Sequence, residues 1–325
     1  MKNQFEFSNE NTISSPDNGQ EKYEIRENEI ILKWKKFLPD NGNLEKIDTE
    51  SAVFFLPGWS INEQAESIES LCQELANYSN NQTYSIKTRV EKVTPDVMNI
   101  EAEAVSRMIT EKKIKEITLI GNSLGGVETL HLAGLMDGKN PDTKINGIVL
   151  LDSMSLYEQK GSTLAVNYVK DVINTQKSLS NLPHFQEESQ VKEQNKKYFK
   201  DGILETLKEI FKSNINYPKR ILSQINDMVN VNPYLSSIKA PVILIQGEQD
   251  LLSQPEKIIP DIENKDYKER EQFLKENIFT NSPYVKMIVG EKMGYHNLSY
   301  SRPKSVAHSA LYLLERWRRD NKINN

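Results

Sequence analysis

Cysteine is almost absent: Cys72 is the only one in 325 residues. A single thiol cannot close an intrachain disulfide, and no thiolate metal cluster can be built from it. Histidine is scarce as well, with four in the chain. No apolar run approaches the roughly 18 residues that a membrane-spanning helix needs. The opening stretch MKNQFEFSNENTISS has no apolar core of the kind a secretory signal carries, so a cytoplasmic chain without a membrane span is expected. Excess positive charge is missing too. The 41 basic and 46 acidic residues leave a net charge of −5, which offers no pull towards nucleic acid. Basic clusters such as Lys33–Lys36 and Lys196-Lys197 alternate with acidic or apolar residues and read as solvated surface.

What remains suits a globular enzyme-sized chain. Hydrophobic residues make up 37% and aromatics 8%, enough for a substantial core, while a mean hydropathy of −0.60 requires a polar surface or polar segments. The length fits one large domain or a core with an insertion. Residues 1–21, rich in Asn, Ser and Glu, read as a disordered tail.

Taken in order, the chain alternates. Tyr23–Leu38 reads as an antiparallel edge hairpin, followed by a turn at Asp40-Asn41-Gly42-Asn43. Ser51–Leu56 is a continuous apolar run of the kind found in a strand covered on both faces. A helix is expected over about 62–78, with Ala65, Ile68, Leu71, Leu75 and Ala76 on one side. After a strand at 84–90, Thr94-Pro95-Asp96 signals a helix start, and Val97, Ile100, Val105, Met108 and Ile109 keep helical spacing. Strands at 116–120 and 145–151 flank a helix carrying Val127, Leu130, Gly134 and Leu135. This regular alternation predicts a parallel α/β sheet. It breaks at Asp152. From 153 to 239 only helical periodicity is found, including stripes at Ile203–Phe211 and Ile221–Val229, and such a block between two strands is most simply a helical cap. The sheet resumes at Ala240–Ile245. A charged, partly helical stretch leads to a strand at 284–289. A last helix from Pro303 to Arg319 is expected to face inward with Val306, Ala310, Leu313 and Trp317. The core is thus 22–152 plus 240–325, with the cap inserted after the sixth strand.

The most informative stretch is Ile117–Gly126, in which a β-branched apolar run feeds Gly121-Asn122-Ser123-Leu124-Gly125-Gly126 and a helical pattern follows. A serine with glycine two places before and two after, at a strand-to-helix junction, is the sequence form of a nucleophile elbow. Serine needs a base to take its proton, and the base needs an orienting acid. Ser123, Asp250 and His296 each follow a different sheet strand. In a parallel sheet the carboxyl ends lie on one edge, so such residues converge there.

FFLPGW, GNSLGG, PVILIQGEQD and MGYHN, in that order, resemble the α/β-hydrolase superfamily over about residues 25–320. The resemblance implies the α/β-hydrolase fold: a mostly parallel central sheet flanked by helices, with a cap. It implies Ser123 as nucleophile, His296 as general base and Asp250 as acid. It also implies oxyanion donors at the backbone N–H groups of Trp59 and Leu124. Many relatives have His-Gly where this chain has Pro57-Gly58; a backbone donor does not depend on that histidine. The resemblance implies no metal or organic cofactor and a small-molecule substrate.

Alternatives stand beside each assignment. Asp250 could instead be a helix-capping residue at the strand end, and Asp152, which also ends a strand, is its rival for the acid. His131 lies about 12 Å along the helix from Ser123 and reads as a core histidine; His308 sits off the inward stripe, and His184 is in the cap. Trp59, Met154, Tyr157, Leu156 and Phe185 are candidates for lining a substrate pocket or for ordinary packing. Cys72 reads as core. The expected activity is hydrolysis of a small or medium ester through an acyl-enzyme. Thioesterase, carbon–carbon hydrolase and aminopeptidase activities remain open, the last with Glu187, Glu188 or Glu205 holding an amine. So does a non-catalytic binding protein of the same fold. Oligomeric state is not legible.

Overall fold

The computed structural model describes residues 22–27, 30–40, 47–58, 66–90, 97–139, 142–154, part of 156–171, 233–290, Ser299 and 302–323. The expected N-terminal tail, the helix-start signal at 94–96 and most of the expected cap lie outside them.

Eight strands form one sheet: β1 (Lys22–Glu27), β2 (Ile30–Phe37), β3 (Ser51–Leu56), β4 (Gln82–Val90), β5 (Glu116–Asn122), β6 (Lys144–Leu151), β7 (Val242–Gly247) and β8 (Val285–Gly290). Their order across the sheet is β1-β2-β4-β3-β5-β6-β7-β8. The hairpin edge is antiparallel, with Tyr23 opposite Trp34 and Lys35 opposite Ser85. From β4 to β8 every pairing is parallel.

Strand side chains alternate between the two faces, and the sheet uses both. Ala52, Phe54, Ile117, Leu119, Ile148, Leu150, Val242 and Leu244 enter one core. Val53, Phe55, Ile120, Val149, Leu151, Ile243 and Ile245 enter the other. The first is covered by helices α2 (Val97–Glu111) and α3 (Leu124–Lys139), with Leu274 of α4 (Tyr267–Asn277) at its far end. The second is covered by α1 (Glu66–Ser79) and α5 (Pro303–Ile323). That double cover is why β3 and β7 read as unbroken apolar runs rather than alternating ones.

Three expectations are corrected. Lys35 is not solvated surface but 2% exposed. Period-two alternation points it to the α1 face beside Phe37, where it pairs with Glu69. Helix α5 buries Val306, Ala307, Ala310, Leu311 and Leu314, so its inward stripe is rotated from the expected one, leaving Leu313 and Trp317 half-buried. A cause is visible at Gly147, where an added Cβ would stand 2.5 Å from Leu314 Cδ2, so β6 and α5 approach there more closely than side chains would allow. Helix α3 is buried all round for its first three turns. It has the sheet beneath it, α2 beside it, and Met154 and Tyr234 against it, so its sequence shows little amphipathic contrast.

Candidate active site

Ser123 sits at the junction of β5 and α3 with a backbone φ of 54°. A left-handed conformation costs a non-glycine residue roughly 1–2 kcal/mol, and it is held here by both neighbours. The Ser123 N–H donates to Leu151 O at 2.9 Å, and Ser123 O accepts from the Gly126 N–H at 3.1 Å. The glycines make the bend possible by close approach. A Cβ on Gly125 would lie 2.0 Å from Leu56 O, and one on Gly121 would lie 2.3 Å from Gly125 O. Both distances are far inside van der Waals contact, so the spacing of glycines around the serine is a packing requirement of β3, β5 and α3 meeting at one point.

Leu124 is the first residue of α3 and is fully buried. The first N–H groups of a helix have no partner within it, and the helix dipole places partial positive charge there. The loop after β3 comes in from the other side: a Cβ on Gly58 would lie 3.0 Å from Ser123 Cβ and 3.0 Å from Asn122 Oδ1. Trp59, which follows it, is outside the described residues.

Two carboxylates occupy the same sheet edge. Asp152, 0% exposed and at a φ of 46°, ends β6; its Oδ1 accepts the Gly247 N–H at 2.9 Å, tying the end of β6 to the end of β7. Asp250, 2% exposed, follows β7. Its Oδ1 accepts from the N–H groups of Leu252 (2.7 Å) and Ser253 (3.1 Å), and its Oδ2 accepts from Ser253 Oγ. Asp250 therefore caps the turn at 251–253 rather than a helix. Capping also fixes the carboxylate's orientation.

His296 lies outside the described residues, but Ser299, three residues on, is described. Ser299 is 1% exposed, and its Oγ accepts from Asn122 Nδ2 at 3.0 Å. This bond is not legible along the chain, because nothing in periodicity pairs a residue with one 177 positions away.

Met154 joins Met98, Leu124, Val127 and Leu252 in a small apolar cluster spanning the elbow and the Asp250 loop. Tyr157 packs against the larger core. Burial first, then the carboxylates of Glu256 and Asp250, push its phenol pKa upward. His131 is buried against Asn99 and Tyr234, with its pKa lowered by burial to about 4, and His308 is exposed beside Tyr78 and Glu74. Cys72 is fully buried, with its thiol pKa pushed up by desolvation.

A cavity of about 600 Å³ lies at the opposite edge, among Glu116, Lys144, Ile148, Pro241 and Arg318 at the amino ends of β5, β6 and β7. It is remote from this chemistry. Among the described residues no group of three His, Cys, Asp or Glu side chains is placed to hold a metal ion, and no helix is long and apolar enough to cross a membrane.

No family model matches the sequence, and no curated protein matches it. Solved structures do. An esterase from Exiguobacterium antarcticum superposes with a TM-score of 0.56 at 13% identity, over 88% of this chain and 96% of its own. The enol-lactonase of Burkholderia xenovorans LB400 gives 0.55 at 13% identity, over 90% and 99%. Proline iminopeptidase of Mycobacterium smegmatis gives 0.51 at 11% identity, over 91% and 98%. The chain has the α/β-hydrolase fold. Ser123 stands at the end of β5, where the strand turns into α3.

Proposed function

We propose that this chain is a serine hydrolase that cleaves a small or medium ester-like substrate through an acyl-enzyme. Ser123 attacks the carbonyl carbon. His296 takes the serine proton and delivers it to the leaving alcohol, and Asp250 orients the imidazole. The backbone N–H groups of Leu124 and Trp59 stabilise the charge on the tetrahedral oxygen, each donor being worth about 3 kcal/mol. Water activated by the same histidine then releases the acid. Every step is proton transfer and acyl transfer, so the scheme calls for no metal or organic cofactor.

The observation that carries this reading is the strained φ of 54° at Ser123, at the carboxyl edge of a parallel sheet, beside a loop glycine and a helix N-terminus. Left-handed residues also occur at plain turns such as Lys113 and Asp261; what supports a function here is that the strain falls on the serine at the strand-to-helix bend. Two further facts support it. Asn122, adjacent to the serine, bonds Ser299, and three residues span at most about 11 Å, a tether compatible with a base at position 296. The Asp250 loop shares an apolar cluster with Leu124. Asp250 is preferred over Asp152 because the QGEQD stretch that carries it resembles the usual acid loop of this fold.

The cap reading of 153–239 belongs to the same proposal. Strands β6 and β7 are neighbours, so the intervening chain leaves the carboxyl end of one strand and must return to the amino end of the next. Substrate choice in this fold lies with such insertions rather than with the sheet, and Met154 and Tyr157, at the start of that segment, are proposed to border the substrate with Trp59.

Labelling with a fluorophosphonate probe tests the proposal. Labelling of the wild type that disappears in Ser123→Ala supports it, and a folded wild type that resists the probe sinks it. A panel of chromogenic esters, thioesters and aminoacyl amides then identifies the leaving-group class.

A further inference from the structure

The cavity of about 600 Å³ at the amino edge of the sheet is of a size usual for sites that enclose a small molecule. Met136 and Asp137 from the last turn of α3, Glu116 and Lys144 at the starts of β5 and β6, and Trp317 and Arg318 of α5 surround it. At 1.5 Å per residue, Met136 lies about 20 Å along α3 from Ser123, so the cavity and the elbow stand at opposite ends of one helix. Part of the wall is apolar, with Ile148 and Ile238 beside Met136. The Trp317 indole is held next to the Tyr284 ring, with the two centroids 6.2 Å apart.

Charge around the cavity is not balanced. Asp137 is paired with Lys239 at 3.0 Å, and Glu116 Oε2 accepts from the neutral amide of Asn146 at 2.7 Å. Among the described residues no carboxylate comes within ion-pair distance of Arg318. Its Nη2 reaches only Thr118 Oγ1, at a long 3.5 Å, and its Nε is shut off from water with no hydrogen-bond partner. Burial pulls the guanidinium pKa down, and the charges of Glu116 and Glu315 act against that from a distance. A cation that has given up water without gaining a carboxylate is held at a cost, which an anion in the cavity would offset. Lys144, exposed at the rim, adds a second positive charge. This local excess runs against a chain whose net charge is −5.

We propose that the cavity between α3, α5 and the amino ends of β5 and β6 binds a small organic carboxylate, with its acid group on Arg318 and its apolar body against Trp317 and Met136. The planar guanidinium matches a carboxylate with two parallel N–H bonds. A wall that is partly apolar favours a singly charged ligand with a hydrocarbon body over a bare inorganic anion. The site is separate from the elbow, and the inference does not depend on the serine-hydrolase reading.

The test titrates the full chain with benzoate, with its uncharged analogue benzamide and with inorganic phosphate. Binding is followed by the NMR signal of the Trp317 indole N–H, assigned by its loss in Trp317→Phe. Benzoate is expected to shift that signal saturably, and benzamide and phosphate to bind at least about tenfold more weakly, the scale of a charge-assisted hydrogen bond. Arg318→Met keeps the apolar stem and is expected to weaken benzoate by about tenfold or more. Arg318→Lys, which keeps the charge but not the fork, is expected to fall between the two. A wild type whose Trp317 signal does not respond to millimolar benzoate overturns the inference. Benzamide or phosphate binding as tightly as benzoate overturns it too, and so does undiminished affinity in Arg318→Met. Should Arg318→Met fail to fold, undiminished affinity in Arg318→Lys is the overturning result. A chain that binds benzoate in this way yet resists the fluorophosphonate supports this inference and sinks only the hydrolase reading.

Discussion

Asn122 Nδ2 donates to Ser299 Oγ across 3.0 Å of buried space. It joins the residue before the elbow serine to the segment three residues past His296. The same amide also reaches Leu151 O at 3.2 Å, so one side chain stitches β5, β6 and the chain after β8 together at the sheet's carboxyl edge. Ser299→Ala leaves Asn122 its second acceptor and is expected to cost only about 1 kcal/mol of stability. Loosening the histidine's own segment is expected to lower kcat about tenfold, a near-Å displacement being enough for that. Urea unfolding and ester kinetics on the same preparation separate the two effects.

Ser123→Gly trades activity for stability. Glycine adopts a φ of 54° without strain, and the serine's own conformation costs roughly 1–2 kcal/mol. The variant is expected to lose turnover and fluorophosphonate labelling while gaining about 1 kcal/mol in a denaturant titration. A variant no more stable than wild type would show that the bend carries little strain.

The two edge carboxylates are separable. Asp250→Asn is expected to lower kcat by about 10³–10⁴, the scale seen when a triad acid loses its charge, with the melting temperature nearly unchanged because the Asn oxygen still accepts the Leu252 N–H. Asp152→Ala orphans the buried Gly247 N–H and is expected to cost about 1–3 kcal/mol of stability, with a much smaller change in kcat. The reverse pattern would make Asp152 the acid.

His131 gives the fold an acid-side weakness. Burial holds its pKa at about 4 against an ordinary 6.5, so between those values the unfolded chain binds the proton and the folded chain does not. Stability is therefore full above about pH 6.5 and falls as the pH drops towards 4, by an amount on the order of 3 kcal/mol. Its Nδ1–H donates to Asn99 Oδ1 at 3.0 Å, and Tyr234 OH donates to the same oxygen at 3.3 Å, so what protonation penalises is the burial of the charge and not this bond. His131→Gln is expected to flatten that part of the stability-against-pH curve.

The pattern of glycines tests the packing account of the elbow. Gly125→Ala drives a Cβ to 2.0 Å from a backbone oxygen of β3, whereas Gly126→Ala meets Ser153 Oγ at 2.1 Å and Ser153 Cβ at 2.6 Å, so that Ser153, past the end of β6, must shift rather than a strand. Gly125→Ala is expected to abolish soluble expression or lower stability by more than 3 kcal/mol, overpacking against backbone exceeding the usual ~1–3 kcal/mol. Gly126→Ala is expected to fall within that range. Expression yield and thermal melts compare them directly.

The strands were legible because each satisfies a local rule. The AVFFL and VILI runs of β3 and β7 are unbroken apolar since both faces of their strands are covered, and GNSLGG announces a bend because only glycine fits beside it. The burial of Lys35 was not legible. Composition makes a lysine cluster look solvated, and only the meeting of β2 with Glu69 of α1 decides otherwise. The rotation of α5 was hidden in the same way, since Val306, Ala310, Leu313 and Trp317 keep helical spacing whichever neighbouring stripe faces the sheet.

By itself the sequence determined the alternation of strand and helix, the elbow serine and the chemistry expected of it, because these follow from period, turn geometry and residue type over a few neighbours. Tertiary structure alone decided which distant groups meet: Asn122 with Ser299, Lys87 with Gly58 and Glu128, Asp152 with Gly247. Those contacts depend on where β3 stops short of β4 and how the strand ends line up, and no local pattern along the chain records a distance across the sheet.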